Sequence, residues 1–403
     1  MAWPLLLCLA GCSEELVDVP ITVALTPDGA SCAGPQATRA ISAVNAAVVR
    51  LTVYKPPAGG AAAGTLVCDQ VYAAGDGSAA LRLAGAGSTP LSLLVEVYDG
   101  STPRRLRAAG GLAGFNLKPR LHPLKLLVSE TGTFSCAPGA MATSRAFHSA
   151  TALPNGEVLI IGGLTAEPPA AATAGDKLWA TNLVEVYDPR TGLFKQAKAG
   201  LSAGRAMHEV VLLTHAGQGP YDLLLVGGLS TPQGTTTPAA DLGGPLPIFP
   251  AQGVATAATV VLRYYPWTSP PQVQEMSGSP QLKYRIQPTV ATLGSGETAI
   301  IGGVLGQSGG VVTTVNDFEL LTSAGSTAHA GAYPLVRGRV GAVAAPLSTT
   351  QLLLFGGNLQ STTAALSKEA VETLTLGATP MAALTSVEAA AMALVSPVAH
   401  ATL

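Results

Sequence analysis

Charged side chains are scarce in this chain of 403 residues. Only 11% of the residues are Asp, Glu, Lys or Arg, and the formal net charge at pH 7 is −2, whereas typical soluble domains contain about 25% charged residues. The lysines and arginines form no basic stripe, and proteins that bind nucleic acid need such a stripe to neutralise phosphates. We therefore expect no nucleic acid partner.

Long hydrophobic runs and helical patterns are also rare. The segment 381–403 comes closest to a membrane span, but it contains Glu388 and Pro397 and is rich in alanine. Glycine (46 residues) and proline (30 residues) interrupt the chain at short intervals, and both residue types break helices and mark turns. These features predict an all-β protein with long surface loops, and they give no indication of a membrane span.

Sequence motifs of catalysis are absent as well. The chain contains no nucleophile elbow, no phosphate-binding loop and no H-E-x-x-H motif, and its six histidines are scattered. None of the five cysteines has the C-x-x-C spacing of a metal site. We therefore expect no catalytic residue, no metal site and no cofactor.

The dominant pattern is a frame of residues that recurs four times. Each copy begins with an arginine and a short strand, passes through a turn, and ends with an apolar strand that stops at a glycine pair. The arginine precedes the first glycine by 17 residues in three copies and by 22 in the second, where the insertion 215–220 lengthens the hairpin. The four arginines are Arg145, Arg205, Arg285 and Arg339, and the glycine pairs are Gly162 and Gly163, Gly227 and Gly228, Gly302 and Gly303, and Gly356 and Gly357.

A third strand follows each glycine pair, and the first copy continues through Tyr187 and Asp188 into a turn and a fourth strand. Four strands per repeat form one blade of a β-propeller. The R-x-x-H opening, the glycine pair and the V-Y-D-P-x-T-G-x-F segment resemble the kelch repeat over about the last two-thirds of the chain. The resemblance implies an incomplete kelch-type β-propeller at 141–403, with four full repeats, a partial fifth, and a poorly packed segment at 381–403.

Structural roles are expected for the repeated residues. The glycine pairs permit a sharp turn where a Cβ would clash, and the four arginines brace loops by donating hydrogen bonds to carbonyl oxygens. His148 and His208 occupy one motif position, where the later copies have Pro288 and Ala342. A ring of metal ligands would need a ligand in every copy, so we interpret both histidines as structural.

The N-terminus carries a different signal. A short apolar run ends in L-A-G-C at Cys12, which resembles the lipobox of a bacterial lipoprotein. The resemblance implies a signal peptide at 1–11, a lipid on Cys12, a tether at 12–19 and, because Ser13 follows the cysteine, an outer-membrane location in the cell envelope. An ordinary signal peptide or a misassigned start is the alternative, since no Lys or Arg precedes the run.

Between the tether and the propeller, residues 20–130 contain about seven short strands separated by turns. This pattern predicts a small antiparallel, immunoglobulin-like β-sandwich, joined to the propeller by a linker at 131–140. Cys32 and Cys68 lie in this domain and are predicted to form a disulfide, which an exported compartment permits. Either cysteine could instead pair with Cys136.

The predicted function is that of a non-catalytic envelope lipoprotein, attached to the membrane through its lipid, whose propeller loops bind a protein or a glycan. Tyr264, Tyr265 and Trp267 form a candidate ligand patch, with packing at a strand end as the alternative. A sandwich joined to a kelch propeller also resembles galactose oxidase, which implies copper and a tyrosine linked to a cysteine. No cysteine follows Cys136, which weakens that reading, and a purely structural envelope protein is the third possibility.

Overall fold

The computed structural model describes residues 16–384 apart from 28, 30–35, 56–63, 76, 85–90, 116–123, 168–176, 214–219, 233–239, 242–248, 251–254, 257, 281, 294, 309–310, 323–331, 337, 360–370 and 376–380. Its regular elements over these residues are strands, apart from one short 3-10 helix, Ile41–Val44. The predicted all-β class is therefore confirmed. No helix in this part of the chain is long and apolar enough to cross a membrane.

The N-terminal domain consists of seven strands in one sheet. In chain order they are β1 (Leu16–Leu25), β2 (Ala46–Lys55), β3 (Thr65–Ala73), β4 (Ser78–Ala84), β5 (Leu91–Asp99), β6 (Leu106–Phe115) and β7 (Leu124–Glu130). The sheet order is β3-β2-β5-β6-β7-β1-β4. All seven strands therefore belong to one sheet, and the pair β1 and β7 within it is parallel. The sequence had predicted two antiparallel sheets.

The two outer strands of this sheet approach each other through side chains. Gln70 Nε2 on β3 donates to the carbonyl oxygen of Arg82 on β4 at 3.0 Å, and the Tyr72 hydroxyl donates to the carbonyl of Ala80 at 2.6 Å. Alternate residues of the strands, among them Leu51 and Val97, fill one buried core. The sheet thus nearly closes on itself, which leaves little edge for pairing with other chains.

Two expectations for this domain need correction. Strand β1 begins at Leu16 and pairs with β4 from that residue, so the last part of the predicted tether is ordered in the sheet. Cys68 is a buried thiol, whereas Cys136 forms a disulfide, so the predicted bond between Cys32 and Cys68 is wrong. Cys32 and the partner of Cys136 lie outside the described residues.

The linker at 131–140 explains why Cys136 is the bonded cysteine. Its backbone N–H donates to the carbonyl of Pro27 at 3.3 Å, and the N–H of Gln36 donates to the carbonyl of Pro138 at 2.8 Å. The linker therefore runs against the segment that follows β1. By contrast, the Cys68 sulfur faces Gln70 Nε2 at 3.0 Å within β3.

The remaining strands belong to the repeats and to the segments inserted in them. They are β8 (Ser149–Ala152), β9 (Val158–Ile161), β10 (Leu164–Thr165), β11 (Lys177–Ala180), β12 (Val184–Asp188), β13 (Leu193–Gln196), β14 (Ala203–Ala206), β15 (Glu209–Leu212), β16 (Tyr221–Val226), β17 (Leu229–Pro232), β18 (Ala240–Asp241), β19 (Phe249–Pro250), β20 (Ala255–Thr256), β21 (Val260–Tyr265), β22 (Gln272–Met276), β23 (Thr289–Thr292), β24 (Thr298–Ile301), β25 (Val304–Ser308), β26 (Val311–Thr314), β27 (Asp317–Leu321), β28 (Tyr333–Pro334), β29 (Arg339–Val340), β30 (Val343–Pro346), β31 (Gln351–Phe355), β32 (Asn358–Leu359), β33 (Val371–Thr375) and β34 (Met381–Leu384).

Each repeat forms one four-stranded sheet. The sheets are β8-β9-β12-β13, β15-β16-β21-β22, β23-β24-β27-β28 and β30-β31-β33-β34, so spatial neighbours are also neighbours along the repeat. This is the strand order of a propeller blade. Strand β34 pairs with β33 from Met381 to Leu384, so the first residues of the segment expected to be poorly packed complete the fourth sheet. The predicted partial fifth repeat, after residue 384, lies outside the described residues.

The chain divides into two compact units. The first comprises Met1–Ala142, Ala152–Val158 and Val186–Lys195 and contains the seven-stranded sheet. The second comprises Thr143–Thr151, Leu159–Glu185 and Gln196–Leu403. All four repeated arginines and all four glycine pairs lie in the second unit.

Candidate functional site

The four repeated arginines are buried beside the glycine pairs. In three repeats the guanidinium forms an ion pair with a glutamate on the third strand of the sheet. Arg145 Nη2 lies 2.5 Å from Glu185, Arg285 Nη2 lies 2.5 Å from Glu319, and Arg339 Nη2 pairs with Glu372. The side chains of all three arginines are fully buried. Sequence reasoning missed these carboxylates, which lie in otherwise apolar strands.

In three repeats the guanidinium group also holds the turn at the glycine pair. Nη1 donates to the carbonyl of the first glycine at 3.0–3.1 Å in the second, third and fourth repeats. Arg205, Arg285 and Arg339 thus brace carbonyl oxygens, as their motif position indicated, and Arg285 and Arg339 also neutralise a buried acid. Nη1 of Arg145 has no hydrogen-bond partner among the described residues. Since a guanidinium has five donors in a fixed plane, one side chain can serve both partners.

The glycine pair links each repeat to the next. The N–H of the second glycine donates to the carbonyl of the following repeat's arginine at 2.8–2.9 Å, and the three bonds run from Gly163 to Arg205, from Gly228 to Arg285 and from Gly303 to Arg339. The first glycine approaches the same carbonyl so closely that a Cβ at Gly227 would lie 1.9 Å from the oxygen of Arg285. A side chain at this position would therefore force neighbouring repeats apart.

A second chain of backbone contacts lies two residues after each arginine. Phe147, Met207 and Gln287 adopt φ angles of +51° to +56°, and Gly341 has φ of +65° at the same position. The Met207 N–H donates to the Phe147 carbonyl at 3.0 Å, and the Gln287 N–H donates to the Met207 carbonyl at 2.8 Å. Left-handed backbone is costly for residues other than glycine, so packing between repeats must hold it in place.

His208 connects the first two repeats through its side chain. Its Nε2 lies 2.9 Å from the hydroxyl of Ser149, and both side chains are buried. At the junction of the third and fourth repeats, Thr289 Oγ1 donates to the carbonyl of Ala342 at 2.9 Å. The contact between Ser149 and His208 therefore corresponds to a contact that joins two other repeats, which indicates a structural role for both side chains.

Burial keeps both motif histidines neutral. Desolvation, aided by the positive charge of Arg205, lowers the pKa of His208 to about 3. Desolvation and Arg145 lower the pKa of the half-buried His148 in the same way. Nδ1 of His208 has no partner among the described residues, so the arrangement lacks the third group that orients a catalytic histidine.

The predicted aromatic patch is divided by the structure. Tyr264 is buried and stacks on Tyr221 with ring centroids 6.3 Å apart. Tyr265 and Trp267 meet edge to face at 6.0 Å on the hairpin between β21 and β22, and Trp267 is 61% exposed. Tyr264 is therefore a core residue and no part of a surface patch.

Tyr187 and Asp188 shape the hairpin between β12 and β13. The Tyr187 ring lies 4.9 Å from that of Phe194. Asp188 Oδ1 accepts hydrogen bonds from the backbone N–H of Arg190 at 3.0 Å and from its Nε at 2.8 Å. These contacts close the turn locally, which is a structural role.

The segments that follow the glycine pairs form additional small sheets, which we call the loop layer. They are β10-β11-β18-β19, β14-β17-β20, β25-β26 and β29-β32. Two of these sheets also include the short strands β14 and β29, which carry Arg205 and Arg339. Strand β11 of the first repeat pairs with β18 of the second through Leu178 and Ala240, so inserts of adjacent repeats are joined. Beneath them Leu229, Ile286 and Val304 pack in a core of their own.

Over the described residues, no group of three or more His, Cys, Asp or Glu side chains is arranged to hold a metal ion. The predicted lipidation residue Cys12 lies outside that part of the chain.

No family model matches the sequence, and no curated protein matches it. Among solved structures, the chain is similar to YjhT, with 11% identity, a TM-score of 0.38, and coverage of 91% of this chain and 98% of that one. It is also similar to a novel fungal alcohol oxidase of the AA5 family in complex with copper, with 10% identity, a TM-score of 0.30, and coverage of 72% and 62%. The strand pairing and the repeated motif together define a kelch-like β-propeller fold.

The buried ion pairs predict a large loss of stability when one partner is neutralised. Changing Glu372→Gln removes the charge of the buried carboxylate that pairs with Arg339, which we expect to lower the free energy of unfolding by about 3–5 kcal/mol. The control is Asp18→Asn, which breaks an ion pair with Arg82 whose side chains are 58% exposed, and it should cost less than about 1 kcal/mol. Urea unfolding measures both. Equal losses for the two variants would contradict this account.

His208 predicts a loss of stability in acid. Its pKa in the folded protein lies well below the ordinary value of 6.5, so the unfolded chain binds the proton first as the pH falls. The stabilising contribution is complete above pH 6.5 and is lost progressively toward pH 3. His208→Gln should flatten this acid limb in urea unfolding between pH 7 and 4, while His148→Gln should flatten it less because that ring is half-buried. An unchanged slope in His208→Gln would refute the prediction.

Proposed function

We propose that this protein is a non-catalytic binding module of the bacterial cell envelope, whose loop layer recognises a protein or a glycan. The observation that carries the proposal is the pairing of inserts from different repeats into common sheets, such as β11 with β18. Fixing the described strands of these inserts costs conformational entropy, and strand pairing and a separate core offset that cost. An ordered layer built from loops is the type of surface on which propellers bind ligands.

The loop layer and the exposed Trp267 lie at opposite ends of the second sheet. Strand β21 pairs with β16 from Val260 opposite Leu225, near the glycine pair, to Tyr264 opposite Tyr221. Six residues of strand span about 20 Å. Binding at one end can therefore be separated from binding at the other by single substitutions.

Leu305 and Trp267 provide a matched pair of variants. Leu305 lies on β25 in the loop layer and is 51% exposed, compared with 61% for Trp267. On arrays of purified glycans and envelope proteins, Leu305→Asp should weaken binding at least about tenfold, or about 1.4 kcal/mol, and Trp267→Ala should not. Thermal unfolding of both variants controls for folding. Loss of binding in Trp267→Ala alone would move the site to the hairpin end and refute the loop-layer proposal.

A copper-dependent carbohydrate oxidase is the competing function. Copper analysis of the purified chain, combined with a peroxide assay on sugars, separates the two. Stoichiometric copper together with peroxide release would replace the binding proposal with the enzymatic one.

The envelope location rests on the L-A-G-C sequence ending at Cys12. In a bacterial host, we expect labelled fatty acid to be incorporated at Cys12 and the protein to sediment with membranes. Cys12→Ser should lose the label and move to the soluble fraction, with Cys68→Ser as the control that keeps both properties. Membrane association of unlabelled Cys12→Ser would refute lipid anchoring.

A further inference from the structure

The second repeat lacks the carboxylate that neutralises the buried arginine in the other three. Glu319 lies opposite Ile300 on the neighbouring strand, and Glu372 lies opposite Leu354. At the same place in the second repeat, Val260 lies opposite Leu225. The position that holds a glutamate in the other repeats is therefore occupied by a valine in the second repeat.

Arg205 remains buried at this position, and no Asp or Glu among the described residues contacts its guanidinium. The residue is 7% exposed. Its Nη1 donates to the Gly227 carbonyl at 3.1 Å, and its Nη2 donates to the Ala258 carbonyl at 2.7 Å. Both acceptors are neutral, and burial lowers the pKa of Arg205 to about 10. A buried cation without a counter-charge is unfavourable, so an anion that reached it would bind with a gain in free energy.

The charge of Glu275 acts on Arg205, but the Glu275 carboxylate is hydrogen-bonded elsewhere. Its two carboxylate oxygens accept hydrogen bonds from the backbone N–H and the hydroxyl of Ser202 at 3.0 and 2.7 Å. In the fourth repeat, Glu372 both accepts from the backbone N–H of Val336 at 3.1 Å and pairs with the arginine. Glu275 thus makes the corresponding backbone contact, and within the described part of the chain no carboxylate pairs with the Arg205 guanidinium.

The end of β21 beside Arg205 reaches the protein surface. Ala258, whose carbonyl accepts from the guanidinium, is exposed, and Thr259 and Val260 are half-buried. Valine is shorter than glutamate and carries no polar group, so a small ligand can occupy the direction in which a glutamate side chain would extend.

We propose that Arg205 and the adjoining end of β21 form a binding site for the carboxylate group of a small ligand. The ligand carboxylate takes the place that Glu185, Glu319 and Glu372 fill in the other repeats. Arg205 lies on β14 of the loop layer, but the site requires no macromolecular partner, so its test does not depend on the loop-layer function.

Acetate is the probe for this site. Thermal unfolding of the full chain is measured across a sodium acetate titration and across sodium chloride at equal ionic strength. We expect a rise in Tm that saturates with acetate and is absent in chloride, because a ligand that binds only the folded state stabilises it. Isothermal titration with acetate gives the affinity directly.

Two variants complete the test. Val260→Glu supplies an internal carboxylate, so its Tm without acetate should rise by several degrees and its acetate affinity should fall at least about tenfold; Val260→Gln controls for side-chain size and should not raise the Tm. Arg205→Gln should lose the rise in Tm with acetate. This variant tests the proposal even if Val260→Glu fails to fold. Equal responses of the wild type to acetate and chloride, or an acetate response retained in Arg205→Gln, would overturn the proposal.

Discussion

The burial of a guanidinium group beside each glycine pair is the constraint on which the repeat domain depends. Removing such a cation from water costs several kcal/mol unless acceptors surround it. The protein supplies them from the first glycine's carbonyl in the second, third and fourth repeats, and from a glutamate in the first, third and fourth. Because the second glycine then donates to the carbonyl of the next arginine, as from Gly163 to Arg205, the geometry of one repeat determines the position of the next.

The architecture of this domain could be predicted because its signals are local. An apolar strand that stops at a glycine pair appears four times in one register, and each copy forms the expected four-stranded sheet. The buried glutamates could also have been predicted from the sequence. Glu185, Glu319 and Glu372 are charged residues at equivalent positions in otherwise apolar third strands. A charge that recurs inside a buried strand indicates a buried partner, and the repeated arginine was the obvious candidate.

Other features have no such signal. The left-handed backbone after each arginine falls on Phe147, Met207 and Gln287, residue types that give no indication of it, and only Gly341 reveals the position. Two-residue strands of the loop layer are too short for a periodic pattern. The disulfide of Cys136 depends on which segments meet in three dimensions, and three cysteines leave several connectivities open. These properties arise from long-range packing and hydrogen bonding.

The pairing of β11 with β18 makes the inserts of two repeats mutually dependent. Each insert provides the edge on which the other forms its strand, through Leu178 and Ala240. Shortening one insert alone would leave the other with an unpaired strand edge, and such edges promote association between chains. Variation in loop length is therefore tolerated only when neighbouring inserts change together, so a change of specificity in this protein would require compensated changes in pairs of loops.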